Sequence, residues 1–244
     1  MRTFSEVSWP EIQELRAKVA ELQTSRTLLE AAEGLCRLFT ERFDTVVLAR
    51  VFAVCPLASL PERDRKFAEQ NAHGEPLTDK TPVLCLLGTA GRQPAWNDRT
   101  CSQGHLAIPL SSSASVRGAP MIAQLLNDLQ VSLRVFDEGG PIASRELMAG
   151  RSRTFYVPDA LRATDAEGRL IIAATEFARA SGISSVFGAG GSYVDGTVIV
   201  FILFCAETLE REVADRFASF IAAFKLATAR LIQQRRLFDE LPPG

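Results

Sequence analysis

Val198 to Ala206 reads V-I-V-F-I-L-F-C-A, an unbroken apolar run rich in β-branched and aromatic residues, and it limits the fold more than any other stretch. Its length suits a strand, and a strand apolar on both alternating faces must be covered from both sides. This is therefore read as a central strand. Ser185 to Val194 is a second strand just before it. Asp195-Gly196 joins the two in a tight hairpin, because both residues tolerate the positive φ of a two-residue turn. After the run a helical pattern starts at Thr208. Val213, Phe217, Phe220, Ile221 and Phe224 form one broad stripe, and Leu231 and Ile232 continue past it, so the helix is longer than a small sheet can cover.

At 244 residues and 47% hydrophobic content the chain has material for a sizeable core. Its net charge of −2, with both signs interspersed, provides no basic stripe to neutralise phosphates, which argues against nucleic acid as a partner. Cys36, Cys55, Cys85, Cys101 and Cys205 form an odd set without a C-x-x-C pair, as expected for thiols of a reducing compartment. No basic-then-apolar leader opens the sequence, and the longest apolar run is too short to span a bilayer. A cytoplasmic protein without a membrane partner is the expectation.

Ser8-Trp9-Pro10-Glu11 has capping-box spacing, and Ile12, Leu15, Val19 and Leu22 follow it at the 3-4-3 spacing of a narrow helical seam. That seam suits a neighbouring helix, a symmetry mate or the chain's own domain. Leu28, Leu29, Ala32, Leu35, Cys36 and Phe39 give a second helix a broader apolar face, suited to a sheet. Thr45 to Val54 is the first strand. Pro56 to Pro82 is a loop with a helical turn near Arg63 to Asn71, Val83 to Leu87 is a short strand ended by Gly88 and Gly91, and Leu106 to Leu110 is another strand. Pro120 to Leu129 is a helix, Val131 to Phe136 reads as a strand before the break at Gly139-Gly140-Pro141, and Ile142 to Ala149 as a short helix stopped by Gly150. Thr154 to Val157 is a strand ended by Pro158. Thr164 or Asp165 then caps a helix through Ile171, Ile172, Ala174, Phe177 and Ala178 to Ser181-Gly182.

Three stretches carry a family resemblance: the entry L-L-E-A-A-E-G-L-C-R-L-F-T-E-R-F-D-T-V-V-L-A-R-V, the strand end F-Y-V-P-D-A, and the hairpin that leads into the closing helix. In this order the chain resembles a GAF domain, a small-molecule-sensing fold related to PAS. The resemblance implies an α+β architecture: an antiparallel sheet of about six strands, helices packed on one face, a ligand pocket on the other roofed by the variable middle, and long N- and C-terminal helices. It divides the chain into an N-terminal helix for dimerisation or signalling (1–26), a sensor domain (27–229) and a helix end with linker (230–244). It also implies a homodimer, a small-molecule ligand and a downstream transmitter such as a histidine kinase. The sequence lacks the Asn-Lys and Phe-x-x-x-Asp-Glu signature of cyclic-nucleotide binders, since Phe238-Asp239-Glu240 lies in the closing tail, and no cysteine has the adjacent histidine of a bilin attachment site.

Trp96, Cys101, His105, Arg134, Arg153, Tyr156, Asp159 and Tyr193 are the ligand-binding candidates. Trp96 and Tyr193 offer stacking walls, while Arg134 and Arg153, with Arg151, offer guanidinium forks to an anion. Asp159 follows Val157-Pro158, where its carboxylate can accept backbone amides at the pocket edge. The ligand is unknown; His105 is the one histidine near the expected roof and can ligate a haem iron or another metal as a neutral imidazole. His73 has no neighbouring ligand residue. The resemblance also extends to free-methionine sulfoxide reductases, for which Cys101 or Cys85 would be the nucleophile. An interaction-only dimerisation module is the remaining alternative. Gly188, Gly190 and Gly191 do not form a dinucleotide loop, because they run into a strand instead of a helix; they predict a strand closely approached by backbone or ligand.

Overall fold

The computed structural model describes residues 2–138 and 153–238. Arg151, the break at Gly139 to Pro141, the helix expected over 142–149 with its Gly150 stop, and Asp239 and Glu240 lie outside the described residues. Six strands form one antiparallel sheet in the order β3-β2-β1-β6-β5-β4. They are β1 (Val46–Pro56), β2 (Pro82–Gly91), β3 (Ala107–Pro109), β4 (Arg153–Val157), β5 (Ser185–Ser192) and β6 (Val198–Cys205). The apolar run of β6 lies between β1 and β5, and every residue in it is buried. Period-2 alternation splits it cleanly: Ile199, Phe201, Leu203 and Cys205 enter one core, and Val198, Val200, Ile202 and Phe204 enter the other.

The first core is closed by α1 (Trp9–Glu21), α2 (Leu28–Arg42), α8 (Arg211–Phe217) and α9 (Ser219–Gln233). Glu11 accepts from the Ser8 N–H at 3.1 Å, and Thr27 accepts from the Glu30 N–H at 3.2 Å, so both first helices start at side-chain caps. The seam residues Ile12, Leu15 and Val19 are buried, and α1 packs on α9 of the same chain. Arg230 of α9 donates to the Gln23 carbonyl at 2.8 Å, while Leu28 and Leu29, the opening amides of α2, donate to the carbonyls of Arg236 and Leu237 at 2.8 and 3.0 Å. Residues from 1–26, 27–229 and 230–244 thus share one core. α3 (Glu62–Gln70) adds Ala68 to it. The second core is roofed by α4 (Ser113–Arg117), α5 (Pro120–Asp128), α6 (Arg134–Glu138) and α7 (Thr175–Ala180). Among the described residues no helix is long and apolar enough to cross a membrane.

Several local expectations change. Gly88 does not end β2; the strand runs on to Gly91, with a bulge where the register slips between Val51 and Phe52 of β1. A side chain at Gly88 would meet the Ala32 backbone of α2 at 2.4 Å, so glycine is what lets the helix lie this close. Val131 to Phe136 is not a strand. Gln130 takes a left-handed conformation (φ 59°) after α5 and the Val131 N–H closes back on the Leu126 carbonyl at 2.8 Å, which spends that amide on a helix cap before α6 begins. Asp165 does not cap a helix: it folds its own loop by accepting from the Glu167 and Arg169 amides at 3.1 and 2.8 Å, and α7 starts ten residues later at Thr175. The β5–β6 loop has five residues, 193–197, its ends closed by the Tyr193 N–H on the Thr197 carbonyl at 2.8 Å with Gly196 at φ 92°. The closing helix starts at Arg211 and is interrupted at Ala218, where the N–H groups of Ala218 and Ile221 bond three residues back, to Asp215 and Ala218.

Candidate functional site

β1 is apolar except for one residue. Arg50 stands in its middle, opposite Thr89 of β2 and Ile202 of β6, and projects from the face that α5 covers. There it meets a cavity of ≈ 60 Å³. Phe52, Leu84, Ile108, Ile202 and Phe204 form the sheet side; Met121, Ile122 and Leu125 of α5 form the roof, and His105 stands with Arg50 as the polar part of the lining. Among the described residues the Arg50 side chain has no hydrogen-bond or ion-pair partner, and its Nε is buried without an acceptor. Burial pushes its pKa down to about 10, against a weaker opposing effect of Cys36, so it is charged at neutral pH. Arg50 as a whole is half-buried, so the cost falls on its Nε, a buried polar group that has lost its water without a replacement bond.

His105 follows Gly104, whose φ of 81° turns the chain into β3. Its Nδ1 lies 3.0 Å from the Gln103 carbonyl, which fits an Nδ1–H donor and leaves Nε2 as the acceptor-side nitrogen. His105 is an exposed residue that borders the cavity; partial desolvation of its ring first, and the Arg50 charge second, lower its pKa from the usual histidine value. Among the described residues the polar part of the lining is the Arg50 guanidinium and the His105 imidazole. Haem does not fit: a ≈ 60 Å³ cavity cannot hold a macrocycle. Among the described residues no group of three or more His, Cys, Asp or Glu is placed to hold a metal ion.

Of the eight residues expected around a ligand, only His105 lines this cavity. Trp96 is on the same sheet face, edge-on to Phe177 at 5.5 Å, and its carbonyl accepts from Thr89 Oγ1. Arg153, the first residue of β4, donates to Gln130 Oε1 at 2.7 Å, and Arg134 is exposed at the start of α6. Asp159 accepts from the Leu161 and Arg162 amides at 2.9 and 3.0 Å and so shapes the turn after β4. Tyr156 and Tyr193 belong to the opposite face. The Tyr156 hydroxyl donates to the Leu209 carbonyl and its ring lies 5.7 Å from the Arg211 guanidinium, while Tyr193 shares a hydrogen bond of 2.7 Å with Thr228 of α9. Both tyrosines therefore anchor the closing helices. Alternation explains this placement, since Phe155 and Val157 take the cavity-side positions of β4. Arg50 was the residue the sequence reading passed over, although a single charge inside an otherwise apolar strand is a visible signal.

The cysteines lie elsewhere. Cys36, Cys55, Cys85 and Cys205 are buried, and Cys101 is exposed with its thiol 3.6 Å from Asp98 Oδ2. Burial pushes the Cys85 thiol well up and the Cys55 thiol up to about 12, the reverse of what a thiolate nucleophile needs. Cys85 instead belongs to a buried polar cluster. Its Sγ is 3.5 Å from Asp64 Oδ2 and 3.5 Å from an Arg99 nitrogen, and Arg99 pairs with Asp64 while its Nε donates to the Leu86 carbonyl at 2.6 Å.

The glycines of β5 are approached by protein on both sides. A Cβ on Gly190 would lie 2.6 Å from Leu129, the residue after α5, and one on Gly191 would lie 3.2 Å from Lys225 of α9. The roof of the cavity and the closing helix thus press on neighbouring residues of one strand.

No family model matches the chain, and no curated protein matches it. Among solved structures it is similar to the free methionine-R-sulfoxide reductase from Neisseria meningitidis in complex with its substrate, at 10% identity over 96% of this chain and 98% of that one, with a TM-score of 0.49. It is also similar to the phycoerythrobilin-bound GAF domain from a cyanobacterial phytochrome (12% identity, 93% and 99% covered, TM-score 0.47) and to the GAF domain from Acinetobacter phosphoenolpyruvate-protein phosphotransferase (12%, 93% and 97%, TM-score 0.45). These likenesses concern the fold and leave activity to be read from the residues. The architecture is α+β, a six-stranded antiparallel sheet with the terminal helices on one face and the middle of the chain on the other.

Proposed function

We propose that this chain is a small-molecule-binding regulatory domain: a ligand enters the cavity between the sheet and α5, and the change passes to α8 and α9 at the interface of a homodimer that addresses a downstream transmitter such as a histidine kinase. The observation that carries this reading is Arg50, a charged guanidinium without an acceptor among the described residues, facing a cavity otherwise walled by apolar side chains and His105. Structural arginines have partners; one held apart from any acceptor is suited to a ligand that brings its own.

A route to the closing helix is supported by the packing of β5. Met121, Ile122 and Leu125 touch the cavity, Leu129 presses on Gly190, and Lys225 of α9 packs on Gly191. A ligand shifts that arrangement only to the extent that it binds one position of α5 better than another. Leu226 on α9 is 82% exposed and provides an apolar contact for a second copy.

Native mass spectrometry of the protein purified under non-denaturing conditions tests both parts together. The expected spectrum is a dimer carrying a small-molecule adduct, with the adduct lost and the dimer kept in Arg50→Met. A wild-type dimer without an adduct, before and after exposure to a metabolite extract, contradicts the ligand reading. A monomer contradicts the interface.

A further inference from the structure

We infer that the ligand of the Arg50 cavity is a short-chain aliphatic carboxylate, held by its carboxylate on the Arg50 guanidinium and by its tail against the apolar walls formed by β1, β6 and α5. This assignment rests on the ligand-binding reading above and adds the chemical class. Three features of the site select it: charge, lining and size.

Among the described residues the cavity presents one guanidinium, and the other polar side chain in its lining is the His105 imidazole. A single fixed positive charge matches a monoanion; a second negative charge would stay unneutralised among apolar walls, where an isolated charge is most costly. A carboxylate also matches the planar two-donor fork of arginine, forming two parallel bonds. His105, whose pKa is lowered by partial desolvation and by the nearby Arg50, adds a hydrogen-bonding group.

The remaining lining has no use for a polar ligand body. Phe52, Leu84, Ile202, Phe204 and Leu125 offer no hydrogen bond, so hydroxyls, amines or further carboxylates on the ligand would be left unpaired. Size sets the last limit. A cavity of ≈ 60 Å³ holds only a few non-hydrogen atoms, since a single water already needs about 10–15 Å³. Propionate and butyrate have that size, whereas a nucleotide or a bilin does not fit. Arg50 emerges from the middle of β1 opposite Ile202, and Phe204 is the next residue of β6 on the same face, so an apolar tail running from the guanidinium along β6 meets side chains throughout.

The test is a titration of the full chain with propionate and butyrate, with propionamide and butyramide as neutral isosteres, and with inorganic phosphate. His105 is one of only two histidines, so its ring-proton NMR signals, assigned through His105→Asn, report binding at the site itself. Saturable shifts with the two carboxylates are expected, with binding at least about 10-fold weaker for the amides, as the loss of a hydrogen bond to a charged group predicts. Arg50→Met is expected to abolish the carboxylate preference, and Arg50→Lys, which keeps the charge and loses the fork, to fall between. Equal binding of amides and carboxylates, or tighter binding of phosphate, overturns the carboxylate assignment while leaving a ligand-binding cavity in place. If none of these probes shifts His105 but a metabolite extract does, the chemical class is wrong and the site remains. If nothing shifts it, both readings fall.

Discussion

Asp64→Ala is expected to destabilise the protein by about 3–5 kcal/mol, because it leaves the Arg99 guanidinium buried without its counter-charge. Asp64 is 1% and Arg99 8% exposed. Their pair ties three elements: Asp64 stands on α3, Arg99 on the turn after β2, and Arg99 Nε bonds the Leu86 carbonyl at 2.6 Å within β2. The same guanidinium lies 6.0 Å from the Phe238 ring, so the C-terminal segment leans on it too. The pair itself is a weak source of net stability, since bringing both charges out of water costs nearly what their attraction returns. Hence Asp64→Leu combined with Arg99→Met should lie far closer to wild type than Asp64→Ala alone. Urea unfolding measures this as a shift of midpoint at constant slope. A single variant within about 1 kcal/mol of wild type would show that water reaches the cluster and that it is not a buried pair.

Phe39→Ala should cost a similar amount, about 3–5 kcal/mol, through the cavity it opens in the first core. Phe39 is fully buried on α2, with ring centroids 4.8 Å from Phe201 of β6, 5.4 Å from Phe220 of α9 and 6.4 Å from Phe217 of α8. All three approaches are edge-on, the geometry favoured by aromatic quadrupoles. The ring therefore joins the central strand to both closing helices, and its loss should loosen them together. Thermal unfolding with Phe39→Leu as the milder comparison checks this: the leucine variant should recover more than half of the loss, whereas equal losses would mean that the ring edges, not the filled volume, hold the helices.

The sequence exposed the frame of this fold because its frame is periodic. V-I-V-F-I-L-F-C has no polar residue to spare for solvent, and it is indeed a strand buried on both faces. Ser8 and Glu11 announced the start of α1, and the Leu28 to Phe39 stripe announced the helix that lies on the sheet. What escaped the reading depends on partners distant in sequence. Nothing local in Val131 to Phe136 says that the Val131 amide is taken by a helix cap, or that Gly88 continues a strand because α2 touches it. The site was hidden for a related reason. Exposed-looking side chains such as Arg153 and Tyr156 attract attention by type, but the alternation of β4 sends Tyr156 to the face opposite the Arg50 cavity, and Arg153 donates to Gln130. Arg50 is visible in the sequence as the one charge inside β1, but only the three-dimensional arrangement shows that its Nε is buried without a described partner.

Equilibrium unfolding of ligand-free Arg50→Met against ligand-free wild type tests the central claim most directly. If Arg50 is held without an acceptor for the sake of a ligand, methionine removes a half-buried charge with an unpaired, buried Nε at nearly conserved bulk, and the variant should be more stable by about 1 kcal/mol. A variant less stable than wild type by about 1 kcal/mol or more would contradict the account, since it would mean that the guanidinium is a structural group whose partners the fold itself supplies.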